Sequence, residues 1–298
     1  MIKDYKFIAC MRATNLVESN FYPLSKICIE SLSKAEYVDE ILLLDTGSID
    51  KTVDFHKDIP KVKFMNPPLV KGLHYAKPGT WSSYCNFLFD NHSTINKDKN
   101  KTLIYFMDSN MFFDKEIILE LYEKCKIFID SDRDTFNVNW RKSPCKNLIE
   151  INDRAVYFSG RISMQSHIIK STPELHWKAI DCPRPGEGNR IMYIGNENYC
   201  KQINFKWEKY AILYHNWLQT KEQLIEKNKL HHEWNIETGI LEEIIDRIIL
   251  HKSCNVIGSK NINDSELPIE IQKQILPYLN ENHLGYSLFG CLPNINGE

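Results

Sequence analysis

Residues 40–45, EILLLD, form a near-continuous apolar run that ends on a carboxylate. Successive side chains of a strand point to opposite faces, so both faces of this one must be covered. That is the signature of a strand in a parallel sheet with helices on each side. Two runs of the same kind, KFIACM at 6–11 and TLIYFMD at 102–108, frame it, and KVKFM at 61–65 is a fourth strand. Helical patterns lie between them. YPLSKICIESL at 22–32 sets Leu24, Ile27, Cys28 and Leu32 on one face, WSSYCNFLFDN at 81–91 reads as a second helix, and KEIILELYEKCKIFI at 115–129 is amphipathic.

Strands alternating with helices over residues 6–129 predict an α/β fold with a Rossmann-like parallel sheet. The second half is less regular. DTFNVNW at 134–140, AVYFSGRI at 155–162 and KYAILYH at 209–215 read as strands, and HWKAIDCPRPGEGNRI at 176–191 as a long Pro/Gly loop. Loops of that length in compact domains are usually functional. The capping box Thr220-Lys-Glu-Gln223 announces a late helix. These patterns divide the chain into an α/β domain over 1–238 and a helical extension over 239–298.

Composition narrows the possible partners. A formal charge of -2 supplies no electrostatic drive toward nucleic acid or an anionic membrane. The basic cluster Lys97, Lys99 and Lys101 is interrupted by polar residues and reads as a solvated loop. Nine cysteines are scattered singly, without a C-x-x-C pair or a secretory leader, and Cys10, Cys28 and Cys125 sit in apolar runs. That usage argues for reduced thiols and a cytoplasmic setting. No apolar run approaches the ~20 residues that a transmembrane helix needs.

The acid that ends the 40–45 run is followed by TGSIDKT. One reading is structural: Gly47 turns the chain, and Ser48 or Asp50 caps a short helix. It leaves Asp45 idle at the strand's carboxyl end, where open α/β sheets bind ligands.

YVDEILLLDTGSIDKT at 37–52 resembles the second-strand signature of family 2 glycosyltransferases of the GT-A fold, an apolar strand ending in Asp, then Gly-Ser, Asp and Thr. Further matches follow in order. Arg12 ends the first strand, with Asn15 and Glu18 beyond it, spread apart where the family has an adjacent Asn-Glu pair. Asn86 matches the asparagine of an Arg-Asn helix motif whose arginine is here Cys85. YFMDSN at 105–110 stands in the place of the Asp-x-Asp motif, and ILYHNW with the downstream Lys227 matches a late histidine and lysine. The resemblance spans about residues 5–235.

It implies a nucleotide-sugar donor, most simply a UDP-sugar, and a hydroxyl acceptor on a glycan, a protein or a small molecule. The expected nucleotide contacts are Arg12, Asp45, Ser48, Asp50, Asn86 and Asp108. A divalent cation, Mn2+ or Mg2+, is implied too, with Asp108, Asn110 and His215 as ligands. Hard cations prefer oxygen ligands, which Asp108 satisfies and the neutral Asn110 satisfies less well. An inverting enzyme needs a carboxylate to take the acceptor's proton. The stretch IGNENYC offers Glu197, followed by Asn198 where the family has aspartate, and the long loop offers Asp181 and Glu187. Trp177 in that loop is a candidate for stacking on a sugar face, whereas the adjacent His231 and His232 face different ways on a helix and suit no metal.

Each assignment has a structural alternative. Asp108 and Asn110 fit a turn, His215 a strand end, and Glu197 a helix N-terminus. The paired neutral residues Asn110 and Asn198 also favour a second reading, a weak or inactive nucleotide- or glycan-binding relative. A sugar-nucleotide pyrophosphorylase is disfavoured, since ACMRATNLVESN at 9–20 has no glycine.

Overall fold

The structure is a computed structural model that describes residues 2, 4–16, 24–68, 78–92, 101–109, 111–141, 150–151, 155–156, 162–172, 175–179, 190–194, 198–208 and 211–213. Asn110, Asp181, Glu187, Glu197, His215 and the expected helical extension at 239–298 lie outside these residues. The chain divides into two compact units, residues 1–139 with 164–210, and residues 140–163 with 211–298.

The first unit begins with β1 (Lys6–Arg12), α1 (Leu24–Ser33), β2 (Glu40–Leu44), α2 (Thr52–His56), β3 (Val62–Met65), α3 (Pro78–Asn91) and β4 (Thr102–Phe106). Next come β5 (Met111–Phe112), α4 (Lys115–Ile129) and β6 (Thr135–Arg141), whose last two residues belong to the second unit. The second unit holds the hairpin of β7 (Glu150–Ile151) and β8 (Ala155–Val156). The chain returns to the first unit along β9 (Ile162–Lys170), then β10 (Leu175–Ala179), β11 (Arg190–Ile194), β12 (Asn198–Tyr199) and β13 (Gln202–Ile203). In the second unit β14 (Ala211–Leu213) pairs in parallel with the end of β6, Ala211 opposite Trp140.

The sheet of the first unit runs β3-β2-β1-β4-β9-β6, with β13 beside β6. Its first four strands are parallel, and β9 joins β4 antiparallel with Ile104 opposite Ile169. This is the expected α/β, Rossmann-like sheet flanked by helices. Among the four parallel strands the order reverses once. From β1 the chain steps outward to β2 and β3, then returns to place β4 on the other side of β1. Where strand order reverses, neighbouring loops part and open a crevice at the carboxyl ends.

Burial follows the apolar runs. Every residue of β2 and of β4 is buried. One sheet face sets Ile8, Cys10, Leu42, Leu44, Ile104 and Phe106 against Tyr84, Cys85, Leu88 and Phe89 of α3. On the other face Phe7 meets Tyr37 edge-on at 5.4 Å and Tyr105 at 6.3 Å. Truncating one such side chain, Leu43→Ala for instance, costs about 3 kcal/mol. α4 matches the expected helix at 115–129 and begins behind an N-cap, Asp114, which accepts the Ile117 N–H at 2.8 Å.

Of the 155–162 run, Ala155 and Val156 lie in β8 and Ile162 opens the long strand β9, while residues 157–161 lie outside the described residues. One expectation is corrected. The supposed loop at 176–191 is strand at both ends, because β10 and β11 pair antiparallel with Trp177 opposite Met192. Among the described residues no helix is long and apolar enough to cross a membrane.

Candidate functional site

Parallel pairing brings three strand ends together. Arg12 on β1 is in register with Leu44 on β2, and the Met107 N–H donates to the Cys10 carbonyl at 3.0 Å, which fixes the exit from β4 beside β1. Arg12, Asp45 and Asp108 therefore lie at the carboxyl ends of neighbouring strands. Arg12 and Asp108 flank the point where strand order reverses, and Arg12 Nη2 is 3.9 Å from Asp108 Oδ1. Both side chains are open to solvent, at 31% and 55% exposure.

Asp45 is not idle. It is only 4% exposed, and its Oδ1 accepts three hydrogen bonds, from the Gly47 N–H at 3.2 Å, the Ser48 N–H at 2.9 Å and the Ser48 hydroxyl at 2.7 Å. The carboxylate thus builds the turn that follows its own strand. Gly47 takes φ +100° in that turn, a value L side chains rarely adopt. The other oxygen, Oδ2, has no hydrogen-bond partner among the described residues.

The loops after β1 and β2 are joined by side chains that the sequence reading did not pair. Thr14 and Thr46 share a hydroxyl–hydroxyl bond of 2.7 Å. Asn15, in the left-handed region at φ 50°, donates its N–H to Ser48 Oγ at 2.9 Å and accepts the Ile49 N–H on Oδ1 at 3.0 Å. The Leu16 N–H donates to Thr52 Oγ1 at 2.7 Å. Asn15 was singled out for its place in a motif, but its partners lie 33 and 34 positions away, beyond any local pattern.

Asp50 accepts the Thr52 N–H at 2.8 Å in the turn before α2, but the N-cap position is Lys51, which makes no side-chain cap bond, so the expected cap by Ser48 or Asp50 is not formed. Ser48 caps no helix and belongs to the Asp45 turn. Beneath α2, His56 is fully buried; its Nδ1 lies 2.6 Å from the Thr52 carbonyl and its Nε2 lies 2.9 Å from Ser25 Oγ. Since the carbonyl can only accept, Nδ1 carries the proton and Nε2 accepts from Ser25. Burial holds this imidazole below its ordinary value and neutral.

Asn86 is half-buried on α3. Its neighbour Cys85, which stands where the family motif has arginine, is fully buried among Leu42, Leu88 and Ile104. An arginine there would put an unpaired charge in the core, so this position cannot serve an anionic ligand. Cys28 is as inert, its thiol pushed up to about 12 by burial, so nothing here points to thiolate chemistry.

Of the expected cation ligands, Asp108 is among the described residues, whereas Asn110 and His215 are not. Among the described residues no group of three His, Cys, Asp or Glu side chains gathers as a metal site. Asp108 already faces a guanidinium, which opposes a second positive charge at the same carboxylate.

No protein-family model and no curated protein matches the sequence. Solved structures resemble it distantly. TarS residues 1–349 of S. aureus in complex with UDP is 13% identical, with a TM-score of 0.41 over 93% of this chain and 79% of that one. A 4-diphosphocytidyl-2C-methyl-D-erythritol synthase from Anaerococcus prevotii is 14% identical, with a TM-score of 0.35 over 57% and 71%. The glucosyl-3-phosphoglycerate synthase of Mycobacterium tuberculosis, crystallised with Mn2+, UDP and glucosyl-3-phosphoglycerate, is 15% identical, with a TM-score of 0.30 over 47% and 45%. Likenesses this distant assign the chain to no family.

Proposed function

We propose that the chain is a nucleotide-sugar-dependent glycosyltransferase whose donor nucleotide sits at the carboxyl ends of β2, β1 and β4. The observation that carries the reading is that Arg12, Asp45 and Asp108 stand at the carboxyl ends of three neighbouring parallel strands, with Arg12 and Asp108 3.9 Å apart beside the reversal of strand order. The buried Asp45 supports it further. A carboxylate oxygen with no acceptor duty among the described residues, at a strand tip, suits the N–H or hydroxyl groups of a base or ribose. The sequence resemblance supplies the donor class, with a UDP-sugar as the simplest choice.

In the transfer, the acceptor hydroxyl oxygen attacks the anomeric carbon while the bond from that carbon to the diphosphate oxygen breaks. The diphosphate leaves with the electron pair, and the acceptor's proton passes to a carboxylate. Glu197 is the proposed base, with Asp181 as the alternative. The positive end of the site must take up the negative charge that develops on the diphosphate. No step of this reading runs through a cation.

A catalytically weak nucleotide- or glycan-binding protein is the second reading, favoured by the neutral Asn110 and Asn198. The test is donor turnover. UDP release from UDP-sugars is measured for the wild type, Glu197→Gln and Asp181→Asn, alongside nucleotide-dependent thermal stabilisation. The expected result is stabilisation by a nucleoside diphosphate and a fall in turnover of about a hundredfold in Glu197→Gln. Stabilisation without turnover selects the second reading. No stabilisation by any nucleoside diphosphate overturns both.

A further inference from the structure

Resting on the donor-binding reading above, we infer that Arg12, rather than a divalent cation, is the group that receives the donor's diphosphate, with Asp108 positioning it.

The argument starts from topology. The crevice of an open α/β sheet lies where strand order reverses, here between β1 and β4. Among the described residues, two charged residues that flank it are of opposite sign. Arg12 ends β1, Asp108 follows β4, and their charged groups stand 3.9 Å apart. A carboxylate that is to hold a divalent cation must present its oxygens to that cation. This one has its Oδ1 3.9 Å from a guanidinium, so a cation there would meet a positive charge already in place.

Charge makes the same point. A diphosphate bound at this mouth meets a cationic fork already in place, and guanidinium matches phosphate oxygens in two-point geometry. At 3.9 Å the Arg12–Asp108 contact is a long one, not a closed two-point pair. With 31% of the Arg12 side chain exposed, an incoming anion can share its N–H groups. The neutral side chain at Asn110 agrees with this, since it removes the second carboxylate that a cation would need and a diphosphate would be repelled by. Asp108 is then a positioning residue. It attracts the guanidinium toward the end of β4 and pushes back modestly on the ligand.

The two arrangements predict opposite signs at Asp108. If a cation bridges protein and diphosphate, Asp108→Asn weakens nucleotide binding by removing the cation's carboxylate. If Arg12 does the work, Asp108→Asn leaves binding intact or tightens it, because a repelling charge is gone. The experiment uses the full chain and titrates UDP, CDP, GDP, ADP and dTDP by calorimetry, in EDTA and then in manganese.

The expected result is that at least one of these binds in EDTA and gains less than twofold from manganese. Arg12→Ala should weaken it about tenfold or more, the scale of a lost charge-assisted bond. Arg12→Lys should recover part of the loss, and Asp108→Asn should bind at least as well as wild type. Binding that requires manganese and falls in Asp108→Asn overturns the inference while leaving the donor reading standing. Absence of binding by all five, with and without manganese, overturns the donor reading and the inference with it. Should Arg12→Ala fail to fold, as read by circular dichroism, Asp108→Asn and the EDTA comparison still decide.

Discussion

Ser48 donates its hydroxyl proton to Asp45 Oδ1 across 2.7 Å. The same oxygen accepts the Ser48 and Gly47 amides, so one carboxylate oxygen closes the turn while Oδ2 has no hydrogen-bond partner among the described residues. Structural and ligand-binding readings of Asp45 are therefore not rivals, and they can be separated by substitution. Asp45→Ala removes both and should cost about 2 kcal/mol in urea unfolding, the scale of hydrogen bonds to a charged acceptor. Asp45→Asn keeps a turn acceptor but loses the charge. It should stay close to wild-type stability yet lose thermal stabilisation by nucleotide. Undiminished nucleotide binding in Asp45→Asn would reduce the residue to a turn former.

Gly47 and Asn15 both sit at positive φ, for different reasons. A Cβ on Gly47 meets nothing within 4 Å, so only the backbone at φ +100° resists substitution. Gly47→Ala should cost about 1 kcal/mol or slightly more, by strain alone. Asn15 tolerates φ 50° and also binds the Ile49 amide through its side chain. Asn15→Gly should lose that bond but accept the backbone, whereas Asn15→Val should lose the bond and add strain. The order of stability expected in denaturant is wild type, then Gly, then Val; equal values for Gly and Val would show that φ is not the constraint.

Acid should destabilise the chain through His56. Its imidazole is held below the ordinary 6.5 chiefly by burial, so the unfolded chain takes up a proton more readily than the folded one. The contribution is fully present above about pH 6.5 and is lost as pH falls below it. Unfolding curves between pH 7.5 and roughly 5 should show that slope in the wild type and a flatter one in His56→Gln. Parallel slopes in both proteins would show that another group sets the acid limit.

Glu40 supplies a control far from the crevice. It opens β2, at the end opposite Asp45, and its carboxylate contacts His92 Nε2 at 2.6 Å and Lys63 Nζ at 2.8 Å. Burial pushes the Glu40 carboxyl up, but the His92 and Lys63 hydrogen bonds and charges outweigh it and hold the group below 4.5. Its stabilisation is present above about pH 4.5 and lost as pH falls through the lower folded value. Glu40→Gln should cost about 2 kcal/mol at pH 7, a gap that closes in acid, and should leave nucleotide binding unchanged. A changed nucleotide affinity would show that the two ends of β2 are coupled.

Elements whose identity rests on local chemistry were legible in the sequence. β2 and β4 are apolar on both faces, and α4 carries its own N-cap in Asp114, so no distant partner is needed to recognise them. β9 was missed because ISMQSHIIK mixes Gln, Ser and His with its apolar residues, and its strand character comes from pairing with β4, more than 60 positions upstream. β10 and β11 were hidden by the Pro/Gly-rich run between them. In the site, strand-end residues such as Arg12, Asp45 and Asp108 could be placed from the pattern. The contacts of Asn15 with Ser48 and Ile49 could not, because side-chain bonds between separate loops leave no periodic trace.

Those loop-to-loop bonds bear on how such a sequence can change. Thr14 depends on Thr46, Asn15 on Ser48 and Ile49, and Leu16 on Thr52. Changing the Ser48 or Thr52 hydroxyl or the Asn15 side chain takes a partner from a backbone N–H in the other loop, so those three should be held in place by a loop they are not part of, while Thr14 and Thr46, joined side chain to side chain, should drift as a pair. Two segments that look like separate motifs on paper are, in heredity, one unit.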